Sequence, residues 1–257
     1  MDNQELALLV ERFKNDEKKG NGFIPEADPQ PPMSGDLLGF EPFADNSSLP
    51  TTPVLDQGQA STCLPHAFVE GMLIRMLVQG TVCPRLYSIL FLYYFGRSDP
   101  KIDSGMQFSN AISTFATRGL PSEEHWPYDS GEVYKSPPIE AIQHAYDQRG
   151  LIKAHPLNGS TDAMRSLCSG CPVVAGFRNT FGGPHAVLLV GHRKAAGGGY
   201  EVLVKNSWGV YFGEDGYIWL SASLLDDPYE QIGLWSIDYV PSPSEDYATL
   251  GSEISNR

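Results

Sequence analysis

Asp56-Gln57-Gly58-Gln59-Ala60-Ser61-Thr62-Cys63-Leu64-Pro65-His66-Ala67 is a polar, glycine-bearing loop that runs straight into an apolar helical pattern. Behind it, Val69, Met72, Leu73, Met76 and Leu77 recur at the spacing of one helix face turned to a core. Cys63 therefore falls in the first helical turn. Unpaired backbone N–H groups and the positive end of the helix dipole there favour thiolate over thiol and lower the sulfur's pKa. Pro65 suits the same turn, because its missing N–H is no loss at a helix start.

Two later stretches match this one. Gly182-Gly183-Pro184-His185-Ala186-Val187-Leu188-Leu189-Val190-Gly191 reads as a loop feeding a buried strand, and Val202-Leu203-Val204-Lys205-Asn206-Ser207-Trp208-Gly209 as the next strand ending in a polar turn. With Cys63 they supply Cys, His and Asn in chain order. Gln57 ahead of Cys63, the His185 strand start, and the Lys205–Gly209 run followed by Gly213-Glu214-Asp215-Gly216-Tyr217 together resemble papain-like cysteine peptidases. The resemblance spans roughly Pro50 to Tyr239 and is nearer to the disulfide-poor bacterial-type members.

It implies an α+β fold of two lobes with the active-site cleft between them. A helical lobe at about 60–150 carries the nucleophile helix, and a β-rich lobe at about 151–240 carries His and Asn. It also implies the roles. Cys63 attacks as nucleophile, His185 shares its proton and returns it to the leaving amine, and Asn206 orients the imidazole without adding charge. The Gln57 side chain and the Cys63 N–H form the oxyanion hole. Trp208 shields the Asn–His hydrogen bond, and the turn Asp103-Ser104-Gly105 resembles the one that pairs with a substrate backbone. Gly105 would allow that close approach, while a helix-initiating turn capped by Ser104 explains the same residues.

The chain also departs from the family. Ala60 stands where members carry a cysteine three residues before the nucleophile, so that disulfide is missing, which suits a reducing compartment. Leu64 replaces the Trp that usually follows the nucleophile, so substrate preference does not carry over. The expectation is a cysteine endopeptidase hydrolysing polypeptides, with no cofactor and no metal. Two alternatives stay open: thiol acyl transfer or deamidation of a specific protein, and a catalytically silent binding module.

A chain of 257 residues with ordinary apolar and charged fractions can bury one large two-lobed core. Its net charge of -13 and pI near 4.8 argue against nucleic acid or an anionic membrane as partner. The start, Met1-Asp2-Asn3-Gln4-Glu5-Leu6, lacks the basic and apolar regions of a Sec-type signal, and no apolar run approaches a membrane span. The expected location is the cytoplasm, or outside the cell by export without such a signal. The sequence leaves the oligomeric state undecided.

Residues 1–49 read as a short helix, with Leu6, Leu8, Leu9 and Phe13 as its apolar positions, and an extended Pro/Gly-rich arm. The arm is a plain linker, a wrapping strand or an inhibitory pro-segment, and its composition is that of loop. The catalytic domain covers 50–240, and 241–257 is an acidic flexible tail. Further helices are expected around Leu86–Tyr93, over Phe108–Ala116 ended by Gly119, over Pro138–Arg149 ended by Gly150, and from Ser160 or Thr161 through Cys168. Strands are expected at Pro172–Arg178, His185–Arg193, Tyr200–Asn206, Gly216–Ser221 and Leu234–Tyr239. Leu120–Tyr128 is assigned to packing. Cys168 and Cys171 form a lone C-x-x-C and read as buried small hydrophobes rather than half a zinc site.

Overall fold

A computed structural model describes residues 3–17, 22–25, 46–81 and 85–241. The tail beyond 241 and most of the expected arm lie outside these residues. Helices α1 (Asn3–Glu17), α2 (Cys63–Val78), α3 (Ile89–Gly96), α4 (Phe108–Arg118), α5 (Ile139–Asp147) and α6 (Gly159–Cys168) pack with strands β1 (Asn46–Ser48), β2 (Lys153–Pro156), β3 (Val173–Phe177), β4 (His185–Lys194), β5 (Tyr200–Lys205), β6 (Tyr217–Ser221) and β7 (Gln231–Tyr239). The strands form one antiparallel sheet in the order β2-β7-β3-β4-β5-β6, with β1 added on β4. Helices α1 to α6 precede the consecutive strands β3 to β7, in keeping with the α+β reading.

α2 is the shared wall. It is buried on nearly every side from Cys63 to Met76, so the one-faced stripe expected from its sequence understates its position. The chain brings it close to the sheet at Gly71: a Cβ there would lie 2.7 Å from Ile237 Cδ1 and 3.2 Å from Leu188 Cδ1. Two turns along from Cys63, Glu70 meets Lys205 of β5 in a fully buried ion pair. The Lys205 Nζ also donates to Thr52 Oγ1 at 2.7 Å and to the Pro53 carbonyl at 2.8 Å. Burial pushes the Glu70 carboxyl up and the Lys205 ammonium down, each opposed by the charge of the other.

Several element ends differ from expectation. α4 ends at Gly119 as anticipated, with φ 74°. α5 stops at Asp147 with Gln148 as cap, because Gly119 packs so tightly on Ala145 that its Cβ would lie 1.8 Å from that carbonyl. α6 begins at Gly159, and Asp226 rather than Ser160 caps it by accepting from the Ser160 N–H and hydroxyl at 2.7 Å each. On α1, Leu6 and Val10 are buried while Leu8 is 64% exposed. Cys168 is exposed, contrary to its expected burial, and its sulfur lies 3.9 Å from His192 Nε2; Cys171 is buried as read. β1 and β2, three and four residues long, carried no readable pattern.

Lys205→Met would strand the Glu70 carboxyl in the core and lower unfolding free energy by about 3–5 kcal/mol, measured by urea titration. Pairing it with Glu70→Leu should restore most of that loss.

Candidate active site

α2 starts at Cys63, whose side chain is fully buried. The backbone N–H groups of Ala186, Gly22, Leu64 and Cys63 itself lie near its sulfur and favour the thiolate. The Ala186 contact places the sulfur at the start of β4, beside His185. His185 Nε2 lies 2.9 Å from Asn206 Oδ1. Because that oxygen also accepts the Ser207 N–H at 2.8 Å, the amide's orientation is set and the imidazole carries its proton on Nε2.

Trp208 covers this bond. It is buried, with its ring centroid 4.7 Å from that of His185, and Phe181 and Phe212 close around it at 6.0 and 5.2 Å. The short loop between β3 and β4 supplies Phe181, which also lies 5.1 Å from His185. Glu230 fastens that loop by accepting from the Asn179 N–H and Nδ2 and from the Thr180 N–H and hydroxyl, at 2.8–3.1 Å.

Gln57 joins the two lobes. Its backbone N–H donates to the Ser207 carbonyl at 2.8 Å, and the neighbouring Gly209 N–H donates to the Leu55 carbonyl at 3.0 Å. Its side chain is held at both atoms: Ser207 Oγ donates to Oε1 at 2.6 Å, and Nε2 donates to the Ala60 carbonyl at 2.9 Å. The fold thus brings Gln57, Cys63, His185, Asn206 and Trp208 together from three separate stretches of the chain.

Gly105 lies in the same cleft, and a backbone lies against it. Met106 N–H donates to the Gly22 carbonyl at 3.0 Å, Ile24 N–H to the Met106 carbonyl at 3.1 Å, and Gln107 Nε2 to the Pro25 carbonyl at 2.8 Å. Phe23 runs parallel to Met106 and is buried over Gly176 and Gly233. A Cβ on Gly105, whose φ is 77°, would come within 1.8 Å of the Gly22 carbonyl oxygen, so the contact needs glycine.

This segment changes the electrostatics of the thiol. The helix start alone predicts a lowered pKa, but burial dominates and pushes the Cys63 thiol from 9.0 up to about 11, against the pull of the four N–H groups, that of Gly22 among them. His66, on the next turn, is also buried; its Nδ1 bonds the Thr62 carbonyl at 2.8 Å and its ring packs on Tyr128. Burial pushes it down to about 4, so it stays neutral.

Sequence reasoning passed over two supporting groups. The Tyr128 hydroxyl donates to the Gln57 carbonyl at 2.7 Å and bonds the Thr62 hydroxyl at 2.8 Å, beyond the packing role expected of its stretch. Asp103 accepts the Ser61 N–H at 3.0 Å. The adjacent Pro-Tyr and Asp-Ser-Gly residues were visible, but their partners are distant in sequence.

A thiol beside an amide-held imidazole, between a helical wall and a sheet, belongs to the class of thiol hydrolases. The model of the papain family cysteine protease matches residues 103–226, from the Gly105 turn through His185 and Asn206. An uncharacterized peptidase C1-like protein of Acanthamoeba polyphaga mimivirus is 27% identical over 223 residues, covering 74% of this chain and 70% of that protein. A cathepsin B-like protein of Giardia intestinalis is 26% identical over 190 residues, covering 64% and 62%. Among solved structures, xylellain, a cysteine protease from Xylella fastidiosa, superposes with a TM-score of 0.75 at 23% identity over 88% of this chain and 98% of its own. Digestive procathepsin L 3 of Tenebrio molitor follows the fold with a TM-score of 0.64 at 18% identity, covering 93% and 80%. These matches make the chain similar to the papain family of cysteine proteases and support a papain-like cysteine peptidase, a hydrolase. No helix among the described residues is long and apolar enough to cross a membrane.

A Cβ on Gly22 would lie 2.1 Å from the Ser61 carbonyl oxygen. Gly22→Val should therefore dislodge the segment and lower the thiol pKa. Iodoacetamide labelling of Cys63 near neutral pH should rise by roughly tenfold for each unit of that fall, read by mass spectrometry across a pH series.

Proposed function

We propose that this chain is an endopeptidase in which Cys63 attacks the scissile carbonyl and His185 moves the proton. With Nε2 committed to Asn206, Nδ1 is the ring nitrogen that exchanges a proton with the sulfur and then delivers it to the leaving amine. Gln57 Nε2, held in place by Ser207 and Ala60, donates with the Cys63 N–H to the developing oxyanion. Gly105 receives the substrate backbone and Trp208 keeps water from the His185–Asn206 bond. The observation that carries this reading is an imidazole oriented by Asn206 on the residue before Ala186, whose N–H lies near the Cys63 sulfur at the start of α2.

We further propose that residues 1–49 act as an inhibitory pro-segment on a catalytic domain of 50–240. The support is Gly22–Pro25, which covers the thiol and takes the hydrogen bonds of Met106 and Gln107. The free thiols of Cys63, Cys168 and Cys171 support a reducing workplace, in the cytoplasm or after export without a Sec-type signal.

The test is hydrolysis of a peptide library followed by mass spectrometry, on the full chain and on a form lacking residues 1–45. Cleavage should be faster in the shortened form, absent in Cys63→Ala and His185→Ala, and lower in Gln57→Ala by on the order of 10²-fold. Products transferred to added amines instead of water would favour the acyl-transfer alternative, and an absence of turnover in both the full chain and the shortened form would sink the enzymatic reading.

A further inference from the structure

The Ser61 loop ahead of Cys63 and the Gly105 turn are far apart in sequence, yet both lie against the backbone of Gly22. A Cβ on Gly22 would lie 2.1 Å from the Ser61 carbonyl oxygen, and a Cβ on Gly105 would lie 1.8 Å from the Gly22 carbonyl oxygen. The Ser61 loop and the Gly105 turn are therefore the two sides of a gap that admits one extended backbone.

The gap is spanned by hydrogen bonds. The Asp103 carboxylate accepts the Ser61 N–H at 3.0 Å on Oδ1 and 3.1 Å on Oδ2. The same carboxylate accepts the hydroxyl of Tyr93, a fully buried ring on α3. Tyr93 in turn accepts the Gly105 N–H at 3.0 Å. One carboxylate and one phenol thus tie the residue two before Cys63 to the glycine on the opposite side. Cys63, Cys168 and Cys171 are free thiols, so among the described residues hydrogen bonds do this tethering.

We propose that Asp103 and Tyr93 are a pair of positioning residues that set the width of the substrate-backbone gap and the placement of the Cys63 loop beside it. Neither touches the reacting atoms; both act through Ser61 and Gly105. Burial pushes the Tyr93 hydroxyl up, so it stays a donor to the carboxylate throughout the neutral range. The carboxylate is needed as such. An amide at 103 has one acceptor oxygen, and its NH₂ would face either the Ser61 N–H or the Tyr93 hydroxyl, donor against donor at one of them.

The proposal rests on the peptidase reading for its catalytic consequence, so the experiment has two readouts. Residue-resolved amide exchange by NMR is measured on the full-length chain, wild type, Asp103→Asn and Tyr93→Phe. Asp103→Asn should speed exchange at both Ser61 and Gly105 by about tenfold or more, and Tyr93→Phe at Gly105 first, with α2 and β4 protection unchanged. Tyr93→Phe keeps the buried ring and serves if Asp103→Asn does not fold. Steady-state hydrolysis of a fluorogenic peptide by the same proteins should show kcat/KM falling by on the order of ten- to a hundredfold, with KM raised as well as kcat lowered.

Unchanged exchange at Ser61 and Gly105 would overturn the pair's role whatever the activity. A uniform loss of protection with kcat and KM intact would mark a purely structural contact and overturn it equally. A wild type that hydrolyses nothing either as the full chain or without residues 1–45 would refute the peptidase reading, while the exchange data would still judge the tether.

Discussion

The ion pair of Glu70 and Lys205 sits where the helical wall meets the sheet, and the geometry of the site depends on it. Glu70 is on the nucleophile helix, two turns from Cys63, and Lys205 is the residue before Asn206. Two charges leave water only when they satisfy each other, and Lys205 adds Thr52 and Pro53 as acceptors. A rotation of α2 or a register shift in β5 would leave a bare charge in the core. The pair therefore resists the displacements that would separate the thiol from the imidazole's amide partner.

Around this anchor, the working groups are positioned by backbone as much as by side chains. Gln57 is zipped to Ser207 along the main chain and through its amide, and Asn206 is steadied by the N–H of the residue that follows it. A hydrogen-bond donor aimed before reaction costs no reorganisation during it, which is the physical advantage of such rigidity. Glu230 and Phe181 extend the same logic to the loop ahead of His185.

The thiol shows two opposing effects at one atom. Helix-start N–H groups favour the thiolate, and burial opposes it; with Gly22 overhead, burial wins. Burying the sulfur thus disfavours the reactive ionisation state. The Gly22 backbone can lie this close because Gly105 has no side chain.

Much of this was legible in the chain of letters. The α+β order, the helix after Cys63, the strand after His185, the turn after Lys205 and the stop at Gly119 follow from periodicity and turn chemistry, which are local properties. Cys63, His185, Asn206, Gln57, Gly105 and Trp208 could be singled out through motif resemblance, and the fold brings them to one cleft. Only the tertiary structure decided that Cys63 is buried with a raised pKa, that Cys168 faces outward, that α5 ends early against Gly119, and that Asp103 reaches Ser61. Each of these depends on a partner tens of residues away, and burial or a hydrogen bond between distant segments exists only once the chain has closed upon itself.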